Sequence, residues 1–135
     1  MTGDVGSTKP LLDKLGVKPG MRVSVLRVRD EDLAREILAR TPDVFTRRRA
    51  RNDLLFLGVD DRSDLARLRS QRDFIVPDGA IWVVWPKGTK DVDENDVRDA
   101  ALASGLVDVK VVSLSATHSA LKLVIPVAKR PRPVR

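Results

Sequence analysis

Short apolar runs alternate with amphipathic stretches along this chain, which is typical of an α/β domain. Three runs rich in valine, leucine and isoleucine are short enough to be strands: 22–28, 52–59 and 80–85. Three segments between and after them carry apolar residues at helical spacing: 31–40, 63–74 and 94–104. Runs that are apolar at nearly every position fit strands buried on both faces, so the pattern predicts a parallel sheet covered by helices.

Capping and turn residues set the limits of these elements. Asp30 is a good N-cap, and the helix that it begins must end near Pro42, since a residue before proline avoids helical geometry. Aspartates at 60–64 begin the second helix, and Gly105 suits the C-cap of the third. Shorter elements are also predicted: a helix at 9–17, an edge strand at 43–45 and a turn at 76–79.

The C-terminal part predicts a hairpin. Strands at 107–114 and 120–127 are separated by a tight turn at 115–119, so they must be antiparallel. With right-handed crossovers elsewhere, the fold is an α/β, three-layer Rossmann-like sandwich. Its mostly parallel sheet has about five or six strands. Residues 9–128 form a single domain, with a disordered tail at 1–8 and a basic tail at 129–135.

Composition excludes several chemistries. The chain has 135 residues, no cysteine and one histidine, which argues against disulfides, thiolate catalysis and a histidine or cysteine metal site. No apolar run has the length of a membrane span, and residues 1–9 carry no hydrophobic signal core. These features predict a cytoplasmic protein that holds no metal.

Basic residues give the chain a net charge of +6 and suggest an anionic partner. Much of the excess lies in one central run and the C-terminal tail: Arg47, Arg48, Arg49, Arg51, Lys129, Arg130 and Arg132. These residues are candidates for binding nucleic-acid phosphates, although such segments are more often simply solvated. The run precedes the strand at 52–59, so it should lie at the amino edge of the sheet. With Phe45 as its one aromatic neighbour, a base-stacking surface is poorly supported.

The joint between the first strand and its helix contains no glycine. It reads Arg29-Asp30-Glu31-Asp32, whereas nucleotide-binding α/β domains use glycines here so that backbone N–H groups approach the ligand. An acidic helix start also places negative charge where a carboxylate or phosphate would bind. The joint therefore predicts that no cofactor is bound.

Two segments resemble class I methyltransferases. Residues 15–23 are similar to the lead into the first strand of that fold, and 76–83 are similar to the turn before its fifth strand. Over residues 9–127 the chain resembles more closely a bacterial family of short methyltransferase-like domains, catalogued as domain of unknown function 3052. The segments that carry this likeness are 81–87, 103–111 and 119–124. The resemblance implies the fold but no established reaction. It also makes S-adenosylmethionine a possible cofactor, which is disfavoured because the joint lacks glycine and the acidic residue that holds the cofactor ribose has no clear match.

Ligands of open α/β sheets bind beyond the carboxyl ends of the strands. The candidate residues at this edge are Lys87, Trp85, Arg29, Asp60, His118 and Ser119. Lys87 could grip an anion while Trp85 stacks on a ring. Three of them also have an ordinary structural role: Trp85 in covering the core, Asp60 in capping a helix, and His118 as a solvated turn residue.

Three functions remain open from the sequence. The first is a non-catalytic methyltransferase-like domain that binds a small anionic or aromatic ligand, or a protein partner, at the Lys87 edge. The second is an atypical small S-adenosylmethionine-dependent methyltransferase. The third is a nucleic-acid- or ribosome-associated accessory protein that acts through its basic segments. The partner and the oligomeric state are not predicted.

Overall fold

The computed structural model describes residues 10–130 and contains six strands and four α-helices within that range. The strands are β1 (Val23–Leu26), β2 (Val44–Phe45), β3 (Asn52–Gly58), β4 (Ile75–Pro86), β5 (Val107–Ser113) and β6 (His118–Val124). The helices are α1 (Leu11–Lys14), α2 (Glu31–Arg40), α3 (Leu68–Gln71) and α4 (Glu94–Ala103). Single 3₁₀ segments precede and follow α3, at Arg62–Arg67 and Arg72–Phe74, and another lies at Val127–Lys129.

The strands form one sheet in the order β2-β1-β3-β4-β6-β5. The first four strands are parallel, and β6 is antiparallel both to β4 and to β5. The predicted mostly parallel sheet with a C-terminal antiparallel hairpin is therefore confirmed. The carboxyl ends of β1, β3 and β4 and the β5–β6 turn meet at the same edge, which we call the carboxyl edge; the opposite one is the amino edge.

Helices cover both faces of the sheet, as the apolar runs predicted. On one face α1 and α2 bury Leu15, Leu33 and Ile37 against the alternating residues Phe56 and Trp82. The other face carries α3, α4 and the 3₁₀ turns, which bury a second cluster centred on the other side of β3 and β4. Because both faces of the central strands are covered, nearly every position of β3 and β4 is apolar.

Three predicted elements differ from the structure. The helix expected at 63–74 is broken into two 3₁₀ turns around the single turn of α3. The turn expected at 76–79 belongs instead to β4, where the register against β3 shifts to accommodate it. The last strand begins earlier than expected, at His118, and ends at Val124. In each case, sheet pairing or packing has outweighed the local signal of proline, glycine or helical spacing.

A buried polar network fixes the chain where it enters β3 at the amino edge. Asn52 is fully buried; its side-chain oxygen accepts from the Ser24 hydroxyl at 2.8 Å, and its amide donates to the carbonyls of Arg49 and Phe74. A buried amide with all of these partners is stable, whereas the same amide without them is costly. Asn52 thus holds the arginine segment and the start of β4 against β1.

Two predicted segments lie wholly or partly outside the described residues: the tail at 1–8, and the part of the basic tail at 131–135 that includes Arg132. Within 10–130, no helix is long and apolar enough to cross a membrane. The same range contains no group of three or more histidine, aspartate or glutamate side chains placed to hold a metal ion.

Candidate functional site at the carboxyl edge

The joint between β1 and α2 folds tightly without glycine. Arg27 follows β1 directly and has a φ of 58°, in the left-handed region that residues other than glycine rarely adopt. Asp30 then begins α2, and its carboxylate accepts from the backbone N–H groups of Asp32 and Leu33. The donors that could bind an anion at this helix start are therefore partly used by the chain's own aspartate.

Gly58, the last residue of β3, lies in contact with this joint. A Cβ atom on Gly58 would lie 2.1 Å from the carbonyl oxygen of Arg27 and 2.9 Å from the Cα of Val28. A side chain at this position is incompatible with the observed path of the joint. Glycine therefore contributes to this site after all, but from β3, where it lets the backbone of the β1–α2 joint lie directly on the sheet.

An ion pair lies at the ends of β1 and β3. The Arg29 Nε donates to Asp60 Oδ2 at 2.9 Å, with side chains that are 73% and 47% exposed. A shallow cavity of about 290 Å³ lies beside the pair, lined by Arg27, Val28, Arg29 and Asp60. The structure thus brings Arg29 and Asp60 together, as their places at strand ends predicted, and adds Arg27 and Val28.

Asp60 and Asp61 have different roles. Asp61 caps the 3₁₀ turn that follows β3, accepting from the N–H groups of Ser63 and Asp64. The Ser63 hydroxyl, ahead of the backbone donors, lowers the pKa of the Asp61 carboxyl. Asp61 is therefore occupied by the fold, whereas Asp60 points its carboxylate to Arg29 at the cavity.

The groups at the cavity fit a zwitterionic ligand. The guanidinium of Arg29 offers N–H donors that suit a carboxylate, and the second oxygen of Asp60 can accept from an ammonium or hydroxyl group. The amino-acid end of S-adenosylmethionine carries a carboxylate and an ammonium, so this pair matches its charges one for one.

The other predicted residues of this edge gather at the β5–β6 turn. The Lys87 ammonium donates to the Ser113 hydroxyl at 2.6 Å, and the Lys87 backbone N–H donates to the Thr117 carbonyl at 2.8 Å. His118 Nδ1 lies 2.9 Å from the Thr117 hydroxyl. Ser119 lies in β6, paired with Ser113. The turn therefore holds Lys87 and His118 in a small polar cluster, separate from the Arg29–Asp60 pair in its contacts.

Trp85 does not offer the stacking surface that the sequence suggested. Its residue is 5% exposed and belongs to the core cluster on the α3 and α4 face. It is covered because it packs in this cluster, which also contains Val92 and Val97, while its backbone pairs with β6 opposite Ser119. Its ordinary structural role, the covering of the core, is the one that the structure supports.

The arginine run lies at the amino edge and is partly used by the fold. Arg49, with a side chain 19% exposed, pairs with Asp43 at 2.6 Å and lies 3.8 Å from the centre of the Phe45 ring. Arg48 lies 4.2 Å from the centre of the Phe74 ring. Hydrogen bonding to Arg49, ahead of the other contributions, lowers the pKa of the Asp43 carboxyl. Arg49 is therefore a structural residue and is poorly placed to bind a nucleic-acid phosphate.

Sequence reasoning missed Arg27 and Gly58. The predicted strand extended to residue 28, so Arg27 was placed inside it, whereas β1 ends at Leu26. Gly58 was read as part of an apolar strand. An isolated glycine in a buried strand often marks a close approach of another backbone segment, and this signal could have pointed to it.

Solved structures with the same fold include methyltransferases. Magnesium protoporphyrin IX methyltransferase (ChlM) from Synechocystis PCC 6803 with bound SAH is 10% identical, with 84% of this chain and 78% of that chain covered and a TM-score of 0.61. The pyocyanin biosynthetic protein PhzM is 12% identical, with 83% and 52% covered and a TM-score of 0.62. The DhpI–SAH complex is 13% identical, with 86% and 83% covered and a TM-score of 0.59.

At these identities the likeness defines the fold: a Rossmann-like α/β domain of the class I methyltransferase type. No protein-family model matches the chain, and no curated protein matches it in sequence. The chain spans about half of PhzM and more than three quarters of ChlM and DhpI.

The expectation that this domain carries no cofactor and disfavours S-adenosylmethionine is contradicted by these neighbours. ChlM is also solved with SAM, at 13% identity, with 85% and 74% of the two chains covered and a TM-score of 0.56. The expectation was wrong because it took the absence of glycine from the β1–α2 joint to mean that this edge has no cofactor site. In the structure the same edge carries a cavity and the charged pair of Arg29 and Asp60.

Proposed function

We propose that this domain binds S-adenosylmethionine at the carboxyl edge and acts as a small, atypical methyltransferase. The observation that carries the proposal is the Arg29–Asp60 pair beside the cavity at the ends of β1 and β3. Further support comes from the fold, which is that of proteins solved with SAM or SAH. When bound, the cofactor supplies a methyl group on a sulfonium, and its transfer to an acceptor leaves S-adenosylhomocysteine.

The residues of the chain would divide the binding between them. Arg29 would donate to the carboxylate of the amino-acid end, and Asp60 would accept from its ammonium. Gly58 would keep the β1–α2 joint low on the sheet, so that the cavity stays open above Val28. Lys87 and His118, at the neighbouring turn, would face an acceptor molecule rather than the cofactor.

Isothermal titration with S-adenosylmethionine and S-adenosylhomocysteine tests this proposal. We expect the exchanges Arg29→Gln and Asp60→Asn each to weaken binding about tenfold or more, since each removes a hydrogen bond to a charged group. The matched control is Arg98→Gln. It also removes an arginine from an ion pair, because Arg98 on α4 pairs with Glu94 of the same helix and with Asp108 on β5. Absence of binding at about 1 mM ligand, or equal effects of all three exchanges, would refute the site.

The second candidate function is that of a non-catalytic domain, which would bind an anionic ligand or a protein partner at Lys87 and the β5–β6 turn. The observation that favours it is the Lys87 ammonium, which binds a hydroxyl and has no carboxylate partner among residues 10–130. Lys87→Met separates the two functions. It should abolish ligand binding at the turn while leaving the affinity for S-adenosylmethionine unchanged. We also propose that the chain belongs to the family catalogued as domain of unknown function 3052. This part of the proposal rests on the likeness of segments 81–87, 103–111 and 119–124.

A further inference from the structure

A second cavity lies at the amino edge, across the sheet from the carboxyl edge. It encloses about 380 Å³, which is within the range of small-ligand sites. Its floor is the end of the core, where Ile75 and Ile125 are 7% and 5% exposed. Its rim carries three cations, Arg51, Arg72 and Lys129. The cavity is therefore apolar below and basic above.

The three cations have no ion-pair partner within residues 10–130. Among residues 10–130, none of the three side chains forms an ion pair or a side-chain hydrogen bond, although Asp73 also lines the cavity. Arg72 is half-buried, and its guanidinium packs against Gly105: a Cβ atom added to Gly105 would lie 2.6 Å from Nη1 of Arg72. The half-buried guanidinium of Arg72 therefore keeps its N–H donors available to an acceptor that enters the cavity.

The backbone at the rim is strained in the same place. Arg51 has a φ of 62°, in the left-handed region, although it is not a glycine. Such conformations cluster at ligand sites, where the surrounding structure maintains them. Here the conformation is set beside Asn52, whose buried side chain fixes the chain entering β3. Asn52 thereby fixes the backbone next to Arg51, which lines the rim.

We infer that this cavity binds the phosphate group of a small organic phosphate, with Arg51, Arg72 and Lys129 holding the phosphate and the apolar floor contacting the organic part. Guanidinium groups suit phosphate oxygens because their planar donors match them in geometry. The cavity favours a small ligand over a nucleic acid, because the neighbouring Arg48 and Arg49 are engaged with Phe74, Asp43 and Phe45 instead of extending a basic surface.

Titration with phenyl phosphate, inorganic phosphate and phenol tests the site. Phenyl phosphate should bind in the range of about 0.1 to 1 mM, more tightly than inorganic phosphate or phenol, because it uses both the rim and the floor. Arg72→Gln should weaken phenyl phosphate binding about tenfold. Arg47→Gln is the matched control: it removes the same charge from the exposed run but does not line the cavity. It should change the affinity less than about twofold.

Arg51→Gly separates binding from folding. Glycine adopts the positive φ at no steric cost, so the melting temperature should stay the same or rise while phenyl phosphate binding falls. No binding at about 10 mM phenyl phosphate would overturn the inference, as would equal weakening by Arg47→Gln and Arg72→Gln. Tight, steeply salt-dependent binding of a single-stranded RNA that Arg47→Gln also weakens would assign the edge to nucleic acid instead. These tests do not depend on S-adenosylmethionine binding.

Discussion

Gly58→Ala tests the contact between β3 and the β1–α2 joint. The added Cβ would lie 2.1 Å from the Arg27 carbonyl oxygen, 2.6 Å from its carbonyl carbon and 2.9 Å from the Val28 Cα. All three atoms belong to the backbone, so no side-chain rotation relieves the clash and the joint itself must move. Overpacking a core costs about 1–3 kcal/mol, and a backbone clash belongs at the upper end of that range.

We therefore expect Gly58→Ala to lower the free energy of unfolding by about 3 kcal/mol and the melting temperature by about 10 °C, measured by urea and thermal denaturation. Displacement of the joint should also weaken S-adenosylmethionine binding. The matched control is Gly88→Ala. Gly88 has a φ of +73° and no atom within 4 Å of its added Cβ, so the exchange costs conformational strain alone, about 1–2 kcal/mol. Equal or greater destabilisation by the control would refute the close approach at Gly58.

Four further outcomes follow from the structure. Asn52→Leu should cost about 2–4 kcal/mol in urea unfolding, because it leaves a buried hydroxyl and two carbonyls without partners. Trp82→Phe should cost about 1–3 kcal/mol, since the indole N–H donates at 3.0 Å to a carbonyl just after α1. Burial, and after it two nearby lysines, lower the pKa of Lys122, so its charged form destabilises the fold at pH 7. Lys122→Met should therefore raise the melting temperature at pH 7. This rise in melting temperature should shrink as the pH increases towards 10.5, where the lysine of the unfolded state also loses its charge. Hydrogen bonding to Arg49 lowers the pKa of the Asp43 carboxyl below 3.8. The ionised carboxylate should therefore stabilise the fold above pH 3.8, and this stabilisation should disappear as the pH falls through the pKa of Asp43 in the folded state. Asp43→Asn should reduce this loss of stability in acid, measured by denaturation at several pH values.

Local signals predicted the framework well. Asp30 and Pro42 bracketed α2, which runs from Glu31 to Arg40, because capping and the restriction before proline act within a few residues. The hairpin followed from the short turn between β5 and β6, which leaves no room for a crossover. Such features depend on neighbours in the sequence, so a single chain is enough to show them.

The candidate site was harder to predict because long-range contacts decide which groups are exposed. Packing in the core cluster on the α3 and α4 face buries Trp85, although its position at a strand end suggested a ligand surface. The contact of Gly58 with Arg27 joins residues far apart in sequence and gives no periodic signal. Arg49 looked solvated within a charge run, but Asp43 and Phe45 engage it. The placing of Arg29 and Asp60 at one edge could be anticipated, because both residues follow parallel strands.

The two edges share a feature that bears on both proposed ligands. Within residues 10–130, the non-glycine residues with positive φ are Arg27 and Arg51, one at each edge, and each lines a cavity. A left-handed residue other than glycine costs about 1–2 kcal/mol, which glycine would avoid at either position. Neither arginine forms an ion pair with another of the described residues that would offset this cost. A bound anion would offset it at both edges, and because the whole sheet separates the two cavities, each ligand should bind whether or not the other is present.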